Sequence, residues 1–300
     1  MAQIGSWVNA ARLRTLPLSV SGIIVGTSIA AHQGYFNIVI FSLAIGTTLG
    51  LQILSNFAND YGDGVKGTDN EERIGPARAL QSGLITRGEM KTGIIITAIA
   101  TLVMAVLLIY SAFGEEDFLY AIIFFILGLG AIVAAVKYTV GQNAYGYRGM
   151  GDIFVFIFFG LVAVFGSYFL YALRMDWPVM FPAAAIGFLS SGVLNLNNMR
   201  DAVSDARAGK NTLVVKLGAQ NAKNYHYFLI FGAVLCLVIY SAWTAREWSD
   251  LLYLFGFIPL FLHLKRVVAN ESPVLLDPEL KILALTTFFI SILFAVGLLF

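Results

Sequence analysis

Charge is what this 300-residue chain has least of: Asp, Glu, Lys and Arg together make up 12% of it. An ordinary soluble domain carries about 25%. So thin a charged coat cannot keep a globule of this size wet, whereas helices that face lipid need almost none. Cysteine is nearly absent too. Cys236 stands alone in an apolar run, which excludes a disulfide within the chain and a cysteine-based metal cluster. The three histidines, His32, His226 and His263, lie apart in the sequence with no metal-ligand spacing. A formal net charge of +1 argues against a nucleic-acid partner. No polar block is long enough to form a soluble unit, so a single domain is expected over residues 1–300.

What the chain has is apolar length. Hydrophobic residues make up 58% of it and the mean hydropathy is +0.79. A bilayer core of roughly 30 Å needs about 20 apolar residues as helix, and lipid leaves helices as the simplest way to satisfy the backbone. Nine such segments are expected, at 16–32, 36–57, 92–113, 118–136, 152–173, 178–199, 225–243, 249–266 and 281–300. The first follows Arg12 and Arg14 and superficially resembles a signal peptide. It is long for one, and eight further segments follow, so it reads as a retained span. Counting loops alternately puts 17 of the 19 Lys and Arg residues on the face that holds the N-terminus, leaving Arg174 and Arg246 on the other. The positive-inside rule makes the first face cytoplasmic. The expectation is an all-α integral membrane protein: nine transmembrane helices in one bundle, N-terminus cytoplasmic, C-terminus outside.

The two longest cytoplasmic loops, at about 58–91 and 200–224, carry the chemistry. The first contains Asn59-Asp60-Tyr-Gly-Asp63-Gly-Val-Lys66-Gly-Thr-Asp69, the second Asn197-Asn198-Met-Arg200-Asp201-Ala-Val-Ser-Asp205-Ala-Arg207-Ala-Gly-Lys210. If the preceding helices persist, Asp60 and Asp63 share a face, and so do Asp201 and Asp205; like charges so placed destabilise a helix. An arrangement made twice calls for a compensating cation. Carboxylates with amide carbonyls suit magnesium, which takes one or two carboxylates plus substrate phosphates. Asn56, Asn59, Asn197 and Asn198 are polar neighbours of the acids, while Lys66, Arg78, Arg200 and Lys210 are placed to meet phosphate oxygens. Asn56 and Asn195 lie in otherwise apolar helices, where polar groups are costly and tend to be functional. Together these describe a magnesium-diphosphate pocket. The rival from another class is a secondary transporter, whose acids would sit near the bilayer midplane; these cluster at one face.

At these residues the chain resembles the UbiA-type superfamily of intramembrane aromatic prenyltransferases. Asn59-Asp60-x-x-Asp63 and Asp201-x-x-x-Asp205 match that family's two signatures, although a further acid expected near position 67 is Gly67, with Asp69 two residues on. Four other stretches narrow the resemblance: Ala11-Arg-Leu-Arg-Thr-Leu-Pro-Leu-Ser, Arg73-Ile-Gly-Pro-Ala-Arg-Ala-Leu-Gln-Ser-Gly, Tyr138-Thr-Val-Gly with Ala144-Tyr-Gly-Tyr, and Ala208-Gly-Lys-Asn-Thr-Leu. Together they are similar to the branch that prenylates 1,4-dihydroxy-2-naphthoate in menaquinone synthesis. Branches that use 4-hydroxybenzoate or a tetrapyrrole are the nearer alternatives.

The resemblance implies a polyprenyl diphosphate donor, an aromatic acid acceptor and a place in the bacterial cytoplasmic (inner) membrane with the site facing the cytoplasm. It implies magnesium held by Asp60, Asp63, Asp201 and Asp205, with Asp69 as a further candidate ligand. Asn56, Asn59, Lys66, Arg78, Asn197, Asn198, Arg200 and Lys210 would surround the diphosphate. The allylic cation would attack the naphthoate ring, which then loses its carboxyl group. Lys137 is a candidate for the acceptor's carboxylate, with snorkelling to the interface as its other reading. Tyr61, Tyr138, Tyr145 and Tyr147 read either as groups that stabilise the cation or pack the acceptor, Tyr138 beside Lys137 foremost for the acceptor, or as an interface belt. Asp152 reads as a helix N-terminal charge or as the acceptor's base.

Overall fold

The computed structural model describes residues 2–69 and 74–300; Arg73, counted above among the cytoplasmic cations, lies outside the described residues. Among these there is helix and loop but no strand. A short amphipathic helix, α1 (Ile4–Ala11), buries Ser6, Ala10 and Ala11 and leaves Ile4 and Val8 exposed. It ends at Arg12, whose φ of 51° is left-handed, a conformation that a non-glycine residue adopts at a cost. Then come α2 (Leu16–His32), α3 (Ile38–Lys66), α4 (Arg87–Phe113) and α5 (Phe118–Lys137). The fifth span begins as α6 (Gly151–Val155), widens into a π-helix over Phe156–Gly166 and tightens again as α7 (Ser167–Ala172). The remainder is α8 (Met180–Arg207), α9 (Leu213–Thr244), α10 (Phe257–Ala269) after a 3-10 segment at Trp248–Gly256, and α11 (Asp277–Leu299).

Nine helical stretches among the described residues are long and apolar enough to cross a membrane, one for each expected span. The loops are shorter than the hydropathy suggested. α3 runs on to Lys66 and α8 to Arg207, so residues 58–66 and 200–207 are helix, not loop. The described part of the first loop is therefore 67–69 and 74–86. The second shrinks to 208–212, because α9 starts at Leu213, where the Thr212 hydroxyl accepts from the Val215 amide. Hydropathy marks where the side chains turn polar, but the backbone keeps its helix where those side chains stay buried. The actual stops are Gly67 and Gly209, at φ of 74° and 72°, the left-handed geometry in which helices commonly end.

α2, the π-helical segment, α8 and α11 form the centre, with α9 packed along α8. Small residues permit the close approach: Gly22 and Gly26 of α2 lie against Ala163 and Val164, and Gly160 lies against the Ala183 carbonyl and Gly187. α4 and α5 are peripheral and expose apolar side chains such as Ile96, Ile99, Leu119 and Ile126, as lipid-facing helices do. Two of the histidines that lie apart in the sequence meet here. His226 on α9 is 3.0 Å from His263 on α10, which is 2.6 Å from a Glu279 carboxylate oxygen on α11. Arg266 bonds the same carboxylate, so four polar side chains form one linked chain across three helices, with His226 Nδ1 left over.

The central packing can be probed at Gly26, where an added Cβ would lie 2.2 Å from the Val164 carbonyl oxygen; at Gly130 it would meet nothing within 4 Å. Gly26→Ala should destabilise the protein by about 1–3 kcal/mol through overpacking. Gly130→Ala should be neutral or slightly stabilising through helix propensity. Thermal unfolding in detergent distinguishes the two, and equal melting of both variants would contradict the packing.

Candidate active site

Because α3 and α8 persist past their apolar stretches, they carry Asp60, Asp63, Asp201 and Asp205 inside the protein. All four are buried, as is Asp69 just beyond α3. A carboxylate withdrawn from water must be paired or hydrogen-bonded, and each of these is. Asp60 is ion-paired to the Arg12 guanidinium, with Arg78 Nε at 3.7 Å. Arg78 Nε also lies 3.9 Å from Asp69. Asp201 takes two hydrogen bonds from Arg200, at 2.8 and 2.6 Å. Arg200 also donates to Asn197 at 3.0 Å and is ion-paired to Asp277 at the start of α11.

Asp63 and Asp205 are held differently: they share one cation. The Lys210 ammonium lies 3.5 Å from Asp63 Oδ2 and 3.7 Å from Asp205 Oδ1. Burial pushes Lys210 towards neutrality, but the charges of Asp63 and Asp205 outweigh it and hold its pKa above the ordinary lysine value. The Tyr147 hydroxyl donates to Asp63 at 2.8 Å and lies 2.6 Å from the Thr68 hydroxyl. Burial, and next the charge of Asp63, push the Tyr147 phenol up, so it stays protonated and remains a donor. Lys66 Nζ sits 3.7 Å above the centre of its ring and donates to the Thr139 carbonyl at 2.8 Å.

These groups close one end of a cavity of about 430 Å³. Its polar end is lined by Arg12, Asn59, Asp63, Asp69, Arg78, Asn197, Arg200, Asp201, Asp205 and Lys210; its other end is apolar, with Leu108, Phe124, Leu127, Phe159 and Leu170. Tyr138 and Tyr145 form the wall between, their rings edge-to-face at 5.3 Å, and Phe154 stacks on Tyr145 at 4.0 Å. Burial pushes the Tyr138 hydroxyl up, with the charges of Asp152, Asp63 and Asp205 adding to it. It too keeps its proton. The cavity is thus charged at one end, aromatic at the waist and oily below.

Not every residue singled out from the sequence reaches the cavity. Asp60 is covered by the arginines that do. Asn56 donates to the Ala11 carbonyl at 2.8 Å and the Thr15 hydroxyl at 3.2 Å, so it anchors the turn that carries Arg12. Asn198 is buried but is not among the lining residues, and Lys66 is taken up by Thr139 and Tyr147. Lys137 is exposed and does not line the cavity: one residue on, about 100° round the helix, it is Tyr138 that faces inward. Asn195, in its apolar helix, donates to the Ala222 carbonyl at 3.1 Å and ties α8 to α9. Conversely, Arg12 stood out in the sequence only as a loop cation, Tyr147 only as a cation stabiliser, acceptor-packing group or interface aromatic, and Asp277 not at all. Their partners lie 48, 84 and 77 residues away, and no local spacing announces such pairs.

Among the described residues no three His, Cys, Asp or Glu side chains form a group that could hold a metal ion by themselves. What the acids offer is an all-oxygen donor set on both sides of one cavity, with a cation already shared between Asp63 and Asp205. That set fits magnesium, which takes few carboxylates and completes its shell with water and phosphate.

The UbiA prenyltransferase family model matches residues 19–293. The chain is 43% identical over 295 residues to the 1,4-dihydroxy-2-naphthoate octaprenyltransferase of Haemophilus influenzae, covering 98% of this chain and 95% of that one. It is 42% identical over 295 residues to the Escherichia coli protein of the same name, covering 98% and 94%. Among solved structures, a UbiA homolog from Aeropyrum pernix K1 superposes with a TM-score of 0.71 at 15% identity, covering 95% of this chain and 97% of that one. A UbiA homolog from Archaeoglobus fulgidus bound to GPP and Mg2+ superposes with a TM-score of 0.64 at 16% identity, covering 95% and 100%.

The Arg200 network gives a stability test. Arg200→Met strands Asp201 without its guanidinium, and removing one partner of a buried pair costs about 3 kcal/mol or more. Thermal unfolding of the variant should show a large loss; a melt like the unaltered protein's would mean that the network contributes little.

Proposed function

Because the chain belongs to the UbiA prenyltransferase family, we propose that it transfers a polyprenyl group from an allylic diphosphate to 1,4-dihydroxy-2-naphthoate, with loss of the ring carboxyl group, in menaquinone biosynthesis. The observation that carries this reading is the cavity. Acids from two helices and cations from four elements meet at one end, and an apolar channel leads away from them. The names of the Haemophilus influenzae and Escherichia coli relatives supply the acceptor.

A diphosphate at the polar end would meet Arg12, Arg78, Arg200 and Lys210, with Asn59 and Asn197 as neutral donors. These cations are fixed by carboxylates before substrate arrives, so little reorganisation is needed as negative charge develops on the leaving group. Preorganised donors of this kind are worth roughly 3–4 kcal/mol each in the transition state. Asp63 and Asp205 face the cavity and share a soft arrangement around one lysine, which makes them the foremost candidates to hold magnesium. Asp201 would assist on the α8 side and Asp69 also lines the cavity, while Asp60 lies behind Arg12 and Arg78. Bound there, magnesium supplies charge that neutralises the departing diphosphate. The prenyl tail would lie along Leu108, Phe124, Phe159 and Leu170. The acceptor would pack at the waist, where the Tyr138 and Tyr145 rings offer their faces to a developing carbocation. The cation count of the loops supports placing the polar end on the cytoplasmic side of a bacterial inner membrane.

Asp63→Ala and Asp201→Ala should each abolish transfer of labelled polyprenyl diphosphate to the naphthoate while leaving a folded, membrane-inserted protein. A chelator should stop the unaltered enzyme and magnesium should restore it. Near-normal turnover in either variant would overturn the metal-site assignment, and incorporation into 4-hydroxybenzoate instead would redirect the acceptor. Topology is tested separately: alkaline phosphatase fused after Phe300 should be active and fused after Gln81 inactive, and the reverse pattern would invert the orientation.

A further inference from the structure

Tyr147 links the segment that carries the first acid motif to the loop that follows the second. It sits in a 3-10 turn (Tyr145–Arg148) between the fourth and fifth spans, outside both acid motifs. Its hydroxyl holds Asp63 of the first motif and Thr68 of the loop that follows it. Its ring has Lys66 Nζ at 3.7 Å and Lys210 Nζ at 5.5 Å from its centre. Its carbonyl accepts the Asn211 amide at 3.2 Å, next to the lysine that joins Asp63 to Asp205. A neighbouring bond, from Lys216 to the Arg148 carbonyl, fastens the same two loops.

We propose that Tyr147 is the positioning residue that couples the two acid motifs into one cation site. It orients Asp63 through its hydroxyl and sets the place of Lys210 through its ring and backbone. The inference rests on the reading of Asp63 and Asp205 as magnesium ligands given above. Its physical content is that a carboxylate has four lone-pair directions and many rotamers. Among the described residues, no other side-chain partner of Asp63 is both neutral and directional. Lys210 attracts Asp63 but does not aim it, and the ammonium must give way or share when a divalent ion enters. A phenol bond survives that exchange, since it occupies Oδ1 while the lysine lies by Oδ2.

Ligand-orienting partners of this kind are worth 10- to 100-fold in metal affinity. The test is binding of Mn2+, with inorganic pyrophosphate present, to the purified full-length protein, read by the spin-resonance signal of free Mn2+. Tyr147→Phe keeps the ring and the backbone latch and removes only the hydroxyl. It should weaken Mn2+ binding about 10-fold or more while the melting temperature without metal stays close to that of the unaltered protein. In turnover, half-saturation by magnesium and by the prenyl diphosphate should rise, and KM for the aromatic acceptor should not. The double variant with Asp63→Asn should bind no more weakly than Asp63→Asn alone, since the two changes remove one coupled element. Unchanged Mn2+ affinity in Tyr147→Phe, with loss in Asp63→Asn, would overturn the coupling and leave the site reading intact. Unchanged affinity in both would overturn the site reading along with it.

Discussion

The site depends on one constraint: five carboxylates are held away from water at the end of an apolar bundle, and each must be compensated there. Desolvation of an ion costs several kcal/mol even after relaxation, so the positions of the acids dictate the positions of the cations. Arg12 adopts a left-handed backbone to reach Asp60, and Arg200 spans from its own neighbour Asp201 to Asp277. Lys210 stands between the two helices that carry the motifs. The resulting array is close to neutral and already organised. A trianionic diphosphate entering with divalent ions therefore adds charge to a frame built to exchange partners.

The second organising feature is that the cavity changes character along its length. Charged groups occupy the end where α3 and α8 leave the apolar zone, and apolar groups line the part between α2, α3, α4, α5 and the π-helical segment. An amphiphile with a diphosphate head and a hydrocarbon tail is matched end for end. The π-helix contributes by being wider than an α-helix, which shifts the register of Phe158, Phe159 and Val162 relative to Phe154. Such segments are rare and occur frequently at functional sites. Here it runs beside the cavity for half of the fifth span.

Much of this was legible in the sequence, for identifiable reasons. Nine apolar runs are a one-dimensional signal, and so is the lopsided placement of Lys and Arg. The i, i+3 and i, i+4 spacings of the aspartates need only a helix to become a face. What was not legible is whatever depends on contacts between distant segments. Hydropathy ended the helices early at residues 57 and 199, because it cannot tell a polar side chain in solvent from one inside a protein. Lys137 and Tyr138 are adjacent in the sequence and differ by about 100° round the helix, so choosing between them needed coordinates. Arg12, Tyr147 and the pairing of His226 with His263 are tertiary facts with no local pattern.

One of those contacts bears on how the protein is made. The first turn of α11 supplies Asp277 to Arg200, and two residues later Glu279 to His263 and Arg266. A chain emerging from the ribosome has inserted eight spans before that turn exists. Until then Arg200 lacks one of its two acids and α10 lacks the carboxylate that satisfies its histidine. Completion of the polar end therefore coincides with arrival of the last span. Synthesis and completion are locked in order: a nascent chain stalled short of its ninth helix holds the aspartates and their nearest cations, but its Arg200 lacks the second anchor that Asp277 supplies.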